Sequence, residues 1–230
     1  MRSFGEVLSL PSARPVLRVF TFTVVALLVG LVLTGGVQAH TSRMYAVGYT
    51  TGSDWGGGYA EWDYRSLSAY DWSGGGFVAQ VLWVYTQNST SAWMEVGDTH
   101  GWKGQNLRTY YWAEGWSAHY YEERITRSYP ATGTYVTYQI QAVYDGEYDA
   151  YIGGQNYGSS LQSGRTPRID VGLESTSYNS TAGATQFYWM QYRTWACCTW
   201  SYWSNGSSHY DTPANWAWRT NYTHGENWAQ

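Results

Sequence analysis

The sequence predicts an all-β protein: an antiparallel β-sandwich of the jelly-roll or concanavalin-like kind, preceded by one N-terminal signal or anchor helix. Short runs rich in Tyr, Trp, Val and Thr alternate with period two, as strands with one buried face do. Gly, Asn, Asp and Ser separate these runs, and no amphipathic helical pattern occurs beyond residue 39. The length of chain that remains suits one domain with a full-sized core.

The first 39 residues have the character of a targeting segment. Arg2, Arg14 and Arg18 form a basic region, residues 19–33 are apolar, and residues 37–39 are small enough for signal peptidase. We therefore interpret this segment as a signal peptide or a membrane anchor.

Two fates of this segment lead to two locations. Cleavage after Ala39 would release a single sandwich domain, 40–230, to the outside of the cell. Retention would anchor the protein in a membrane, because 19–39 carries no charge and is long enough to cross a bilayer. The glycines and small residues near Ala39 favour cleavage, so we expect a secreted protein.

Nine runs have strand character, and one pair of them has a clear connection. Asp145-Gly146 separates two alternating runs, and this dipeptide is typical of a tight hairpin turn. The glycine-rich stretch 50–76 is predicted to be a long surface loop or a pair of short strands. The predicted strands are 44–49, 77–86, 92–97, 107–113, 119–125, 134–144, 148–152, 168–174 and 185–193.

The C-terminal tail, 194–230, loses the alternation but contains six tryptophans. A segment so rich in aromatic residues is unlike a disordered one. We expect the tail to wrap the outside of the sandwich and bury its indoles; the alternative is an exposed aromatic platform.

Composition limits the class of partner. The formal net charge of −4 argues against nucleic acid, whose phosphates require a basic surface. The chain has 15 Trp and 23 Tyr, more rings than a core of this size needs, and such rings line sugar-binding grooves and peptide clefts. The expected partner is therefore an extracellular polypeptide or polysaccharide, with a membrane involved only if the N-terminal segment is retained.

Cysteine and histidine give little chemistry. Cys197 and Cys198 are adjacent and would form a strained vicinal disulfide, unless they pair between molecules or stay free thiols. An N-terminal His40 could bind copper with His100 or His119, but no surrounding motif supports such a site. Cys and His do not show metal-ligand spacing, so we predict no metal and no other cofactor.

Two glutamates have matching surroundings on two predicted strands. In AWMEVG, Glu95 lies on the face opposite the apolar side chains, and Gly97 is two positions away on that same face. In RIDVGLE, Glu174 and Gly172 repeat this arrangement. If both strands belong to one sheet, the carboxyls could meet across a groove, and paired carboxylates are what acid–base hydrolysis needs.

The order of these motifs resembles the catalytic domain of neprosin-type glutamic peptidases and, more loosely, the fungal glutamic peptidases. The resemblance spans about residues 91–175 and rests on MEVG at 94–97, YWAEG at 111–115 and GLE at 172–174. It implies a β-sandwich in which Glu95 and Glu174 are catalytic. The sequence differs from the family in having Leu173 between the glycine and the second glutamate.

The resemblance makes an extracellular hydrolase the leading hypothesis, with one ionised glutamate activating water and one protonated glutamate acting on the carbonyl. Aromatic and amide side chains would bind the substrate in the cleft: Trp93, Tyr110, Trp112 and Gln139. In composition the chain also resembles small jelly-roll xylanases. A non-catalytic glycan-binding or cell-surface module, or a glycosidase with two glutamates, is therefore the alternative.

Overall fold

The computed structural model describes residues 43–126, 128–143, 147–195 and 198–230. The N-terminal targeting segment, the Asp145-Gly146 turn and Cys197, and with it the predicted vicinal disulfide, lie outside the described residues. Within them, no helix is both long and apolar enough to traverse a lipid bilayer.

The described residues form fifteen strands and two short 3₁₀ turns, at Trp72–Gly74 and Trp102–Gly104. Every strand pairing is antiparallel. The strands are β1 Met44–Asp63, β2 Leu67–Ser68, β3 Val78–Tyr85, β4 Ala92–His100, β5 Arg108–Trp116, β6 His119–Ile125, β7 Tyr135–Val143, β8 Glu147–Ile152, β9 Gln155–Ser160, β10 Thr166–Ser175, β11 Thr181–Thr194, β12 Trp200–Tyr202, β13 Ser207–Tyr210, β14 Asn215–Trp218 and β15 Gly225–Ala229.

Two strand arrays make the sandwich. One runs in the order β13-β1-β10-β3-β4-β5-β6, and the other in the order β14-β15-β11-β1-β7-β8-β9. The predicted antiparallel β-sandwich is confirmed, and the predicted N-terminal helix lies outside the described residues. The predicted hairpin is also confirmed as an antiparallel pairing of β7 with β8.

Strand β1 belongs to both arrays. Its first half pairs with β10 and β13, and its second half, from Trp55 onward, pairs with β11 and β7. A register shift between Thr51 and Trp55 marks the passage from one array to the other. The stretch 50–76 is therefore not mainly a surface loop, because its first half continues β1 to Asp63. Glycines at 56–58 hid this strand from sequence analysis, since glycine weakens strand patterning.

The main core lies between the two arrays and takes alternate residues from each strand. Met94 and Val96 of β4 pack there with Ile169 and Val171 of β10, as the alternation predicts. The intervening residues of β4 and β10 face the other way. The face of this array away from the main core carries a smaller apolar cluster that includes Val81, Trp83 and Tyr111.

The tail after residue 194 is folded, and it contributes four short strands, β12 to β15. Trp203 and Trp216 are buried in the main core, and Trp218 packs against it. The tail therefore buries part of its indoles, but it forms part of the sandwich, with β14 and β15 in the second array, and does not only wrap its outside. Tyr202 and Tyr210 remain exposed. The strands were missed because they are short and their residues do not alternate in polarity.

Candidate active site

Strand register places Glu95 and Glu174 on the same face of one sheet. Strand β3 lies between β4 and β10, and Trp83 of β3 is opposite Glu95, while Ala79 of β3 is opposite Glu174. Because β4 and β10 both pair antiparallel with β3, the two glutamates lie diagonally across it. The sequence expectation that both carboxyls share one sheet face therefore holds in the structure.

A row of small side chains separates the two glutamates. Gly97 on β4 and Gly172 on β10 are both opposite Val81 of β3. A Cβ atom at Gly97 would overlap the carbonyl oxygen of Gln80, and one at Gly172, where φ is +152°, would overlap that of Ala46. Glycine is thus required by close backbone packing.

The two glutamates line one cavity of about 550 Å³ on this face. Ionisable side chains from six strands and from Arg43, which precedes β1, surround it, and aromatic rings form much of its wall. Its ionisable residues are Arg43, Tyr45, Glu95, Tyr85, Tyr120, Arg168, Asp170, Glu174 and His209, and its other lining residues are Val47, Phe77, Trp83 and Trp93. A cavity of this size, with charged groups set among aromatic rings, can hold a ligand.

The groups around Glu174 favour its ionised form more strongly than the groups around Glu95 favour the ionised form of Glu95. Its carboxyl, on a residue only 4% exposed, forms an ion pair with the Arg43 guanidinium. The Tyr45 hydroxyl donates a hydrogen bond to the same oxygen, Oε1, at 3.2 Å. Burial raises the pKa of Glu174 above its ordinary value, but Arg43 and Tyr45 oppose that rise.

Glu95 is held in a setting that favours its neutral form. It is 7% exposed and receives a hydrogen bond from the Trp83 indole N–H. Burial, and next the negative charge of Glu174, raise the pKa of Glu95 to about 8. The Trp83 hydrogen bond and the more distant Arg43 lower this pKa less than burial raises it.

The two carboxyls are therefore differentiated by their partners. Glu174 has a cation and a hydroxyl donor, whereas Glu95 has one neutral donor and a negative neighbour. This arrangement favours loss of the Glu174 proton before that of Glu95, so over an intermediate pH range Glu174 is ionised while Glu95 stays protonated. Such a pair can supply a base and an acid at the same time.

A third carboxyl belongs to Asp170 of β10. Asp170 is opposite Trp83 of β3, which on its other side is opposite Glu95 of β4. Arg168 binds it through two hydrogen bonds, of 2.6 and 2.7 Å, and the Arg168 guanidinium lies 4.0 Å from the centre of the Tyr49 ring. Burial raises the pKa of Asp170 to about 6 against the opposing effect of Arg168. With both its oxygens engaged by Arg168, Asp170 is a poorer acid–base group than either glutamate.

Neither a protein-family model nor a curated protein matches this sequence. Solved structures do match. The fold is similar to that of the glutamic peptidases.

Scytalido-glutamic peptidase, solved with a transition-state analogue inhibitor, matches with a TM-score of 0.58 and 10% identity, over 81% of this chain and 98% of that one. SCP-B, an eqolisin-family peptidase solved with the tripeptide Ala-Ile-His, matches with a TM-score of 0.53 and 14% identity, over 80% and 96% of the two chains. Bacillus licheniformis β-glucanase gives a TM-score of only 0.38. At these identities the likeness is one of fold, and it agrees with the resemblance found in the motifs.

The structure brings together only part of the predicted binding set. Trp93 lines the cavity beside Glu95. Tyr110 and Trp112 do not, because they point to the opposite face of β5 and are buried in the main core. Gln139 is on β7, in the other array, opposite Tyr59, and it is not among the cavity-lining residues.

Several residues of the site were not identified from the sequence. Arg43 and Tyr45 reach Glu174 from β1 and the residue before it, and Trp83 reaches Glu95 from β3. The alternation in β3 does place Trp83 and Tyr85 on one face. Which strand lies beside which is a property of the sheet order, and no local pattern in the sequence contains it.

Proposed function

We propose that this protein is a hydrolase that cleaves peptide bonds, with Glu95 and Glu174 as its catalytic residues. The observation that carries the proposal is the pair of buried carboxyls in one cavity, one beside a cation and the other without one. The fold similarity to glutamic peptidases is consistent with this reaction and supports it only as an analogy.

In the proposed reaction, the Glu174 carboxylate takes a proton from a water molecule as the water oxygen bonds to the scissile carbonyl carbon. Protonated Glu95 donates a hydrogen bond to the carbonyl oxygen, where negative charge develops. When the carbon–nitrogen bond breaks, Glu95 gives its proton to the leaving nitrogen. Transfer of the proton from Glu174 back to Glu95 restores both groups, and one water has been consumed.

The predicted secretion fits this role. Export would bring the enzyme to polypeptides outside the cell, where the surroundings can be acidic. The polypeptide would lie along the cavity, with its side chains against Trp93 and Tyr120, whose ring centres are 6.1 Å apart.

The test is digestion of casein by the chain that begins at His40, at about pH 6 and about pH 9, which lie below and above the raised pKa of Glu95. We expect cleavage at the lower pH and a loss of at least about 100-fold in Glu95→Gln and in Glu174→Gln, because each removes one acid–base partner. Glu147→Gln is the matched control, since Glu147 is exposed on β8. Unchanged activity in either catalytic variant would remove the assignment.

One feature favours a second candidate, a glycan ligand. Aromatic side chains form much of the cavity wall, and aromatic rings are suited to stacking on sugar rings. A glycan array and a set of β-linked polysaccharides would separate the candidates. Glycan binding or polysaccharide cleavage that Trp93→Ala abolishes, with casein left intact, would favour the glycan candidate over the peptidase.

A further inference from the structure

Arg43 lies immediately before β1 and brings a positive charge to the cavity. Its guanidinium pairs with Glu174, and the adjacent Tyr45 hydroxyl contacts the same carboxyl oxygen. The Arg43 side chain is 56% exposed, whereas that of Glu174 is 5% exposed. One end of the pair is therefore open to solvent and the other is enclosed.

This asymmetry determines what removal of Arg43 would leave behind. Because the guanidinium is largely in solvent, its loss leaves no buried cation without a partner, and the change falls on the buried carboxyl. The same cation has a large effect on a buried carboxyl, because a nearby opposite charge favours ionisation. Arg43 is thus better placed to set the state of Glu174 than to hold the fold together.

We propose that Arg43 is a positioning residue of the acid–base pair, which keeps Glu174 ionised and fixes the orientation of its carboxylate. This inference rests on the proposed function, because it concerns the same two glutamates. It assigns the difference between the two carboxyls to one side chain that the motif resemblance does not include.

Other charged groups around Glu174 do not replace Arg43. On β10 itself, Arg168 is engaged by Asp170 through two hydrogen bonds. From β4 comes Glu95, which is acidic. From β13 and the residue that follows it come His209 and Asp211, whose side chains lie 3.4 Å apart. The residues of β3 that face Glu174, Ala79 and Val81, carry no charge. Arg43 is the cation that contacts the Glu174 carboxyl among the ion pairs of the described residues.

The test is the dependence of casein cleavage on pH for the wild type, Arg43→Gln and Arg43→Lys. Arg43 lowers the pKa of both Glu174 and Glu95. Its loss should raise both, so that the entire activity profile of Arg43→Gln moves to higher pH by about one unit or more. Lysine keeps the charge, so Arg43→Lys should retain the position of the profile and lose only part of the rate.

Arg165→Gln is the matched control, because Arg165 forms an exposed ion pair with Asp54 and does not line the cavity. Its profile should coincide with that of the wild type. A lower rate in Arg43→Gln without a shift in the profile would overturn the inference, since that result describes a merely structural role.

A second measurement separates failure of this inference from failure of the proposed function. Carbon-13 NMR of labelled glutamate carboxyls follows the titration of Glu174 without any substrate. If no casein is cleaved but the Glu174 titration moves upward in Arg43→Gln and not in Arg43→Lys, the peptidase proposal fails and the role of Arg43 stands. If the titration is the same in all three proteins, the role of Arg43 is refuted.

Discussion

Two carboxyls on strand β4, three residues apart, differ in their surroundings. Asp98 points toward the main core and is fully buried, and Glu95 points toward the cavity and is 7% exposed. Asp98 pairs with Arg108 and receives hydrogen bonds of 3.2 Å from the Trp62 indole and the Tyr138 hydroxyl. Glu95 receives one hydrogen bond, from Trp83.

The comparison teaches how to separate a structural carboxyl from a reactive one. A buried carboxylate with a cation and neutral donors is satisfied, and breaking it damages the fold. A buried carboxyl with few partners stays protonated and can give up its proton in a reaction. Both residues are acidic and lie on one strand, so the difference comes entirely from which face each side chain occupies.

The largest expected effect concerns Asp98. Asp98→Asn would leave the Arg108 guanidinium, whose side chain is 15% exposed, without its anionic partner. We expect a loss of about 3–5 kcal/mol in the free energy of unfolding, measured by urea denaturation. Glu95→Gln should lose less than about 1 kcal/mol, because an amide replaces a protonated acid of the same shape. Equal losses in the two variants would contradict the distinction.

Trp93 of β4 and Trp112 of β5 lie on opposite faces of the same sheet. Trp112 is buried in the main core, so Trp112→Ala should lower the free energy of unfolding by about 3–5 kcal/mol. Trp93 lines the cavity and is only partly buried. Trp93→Ala should cost less stability and raise KM for casein. The matched measurements are thermal denaturation and steady-state kinetics on both variants, and a larger stability loss in Trp93→Ala would reverse the assignment of faces.

Gly97 tests whether the glycine row is a packing requirement. Its added methyl group in Gly97→Ala would meet the Gln80 carbonyl oxygen of the neighbouring strand. We expect a loss of about 1–3 kcal/mol, from overpacking against backbone that cannot move aside easily. Gly133→Ala is a control with no atom within 4 Å of the new methyl, although its positive φ adds a small cost of its own. A loss at Gly97 no greater than that of the control would refute the packing explanation.

The last effect is a pH dependence of stability. Because the folded protein raises the pKa of Glu95 from 4.5 to about 8, the folded state binds a proton that the unfolded state releases within this window. The associated stability is fully present below the unfolded pKa and is lost as pH rises through the folded pKa. From about pH 5 to about pH 8, the wild type should therefore lose at least about 1 kcal/mol relative to Glu95→Gln. Parallel stability curves would contradict the raised pKa.

The sequence was informative where one face of a strand is apolar. Met94 and Val96 turn one face of β4 to the core, and Ile169 and Val171 do the same for β10. The face on which Glu95 and Glu174 lie therefore follows from the alternation alone. In the run Tyr110, Tyr111 and Trp112 of β5 both faces carry aromatic residues. The polarity of these side chains therefore could not show which of them face the core. In the structure, Tyr111 lies on the cavity side of the sheet, and Tyr110 and Trp112 lie on the core side.

Long-range pairing was beyond the sequence patterns. The contact of Arg43 with Glu174 joins residues 131 positions apart, and it depends on β1 lying beside β10. Strand β9 and the four tail strands were missed because polar and glycine residues interrupt their alternation. Their formation depends on partners supplied by the folded sandwich, which local propensity does not describe.

The central claim is that one carboxyl of the pair is protonated while the other is ionised. Carbon-13 NMR titration of the wild type, with Glu95 and Glu174 assigned from their Gln variants, measures this directly. We predict that Glu174 loses its proton at lower pH than Glu95, so that over the pH range between the two titrations Glu174 is ionised while Glu95 still carries its proton. Titration of both carboxyls together near the ordinary value for glutamate would contradict the account.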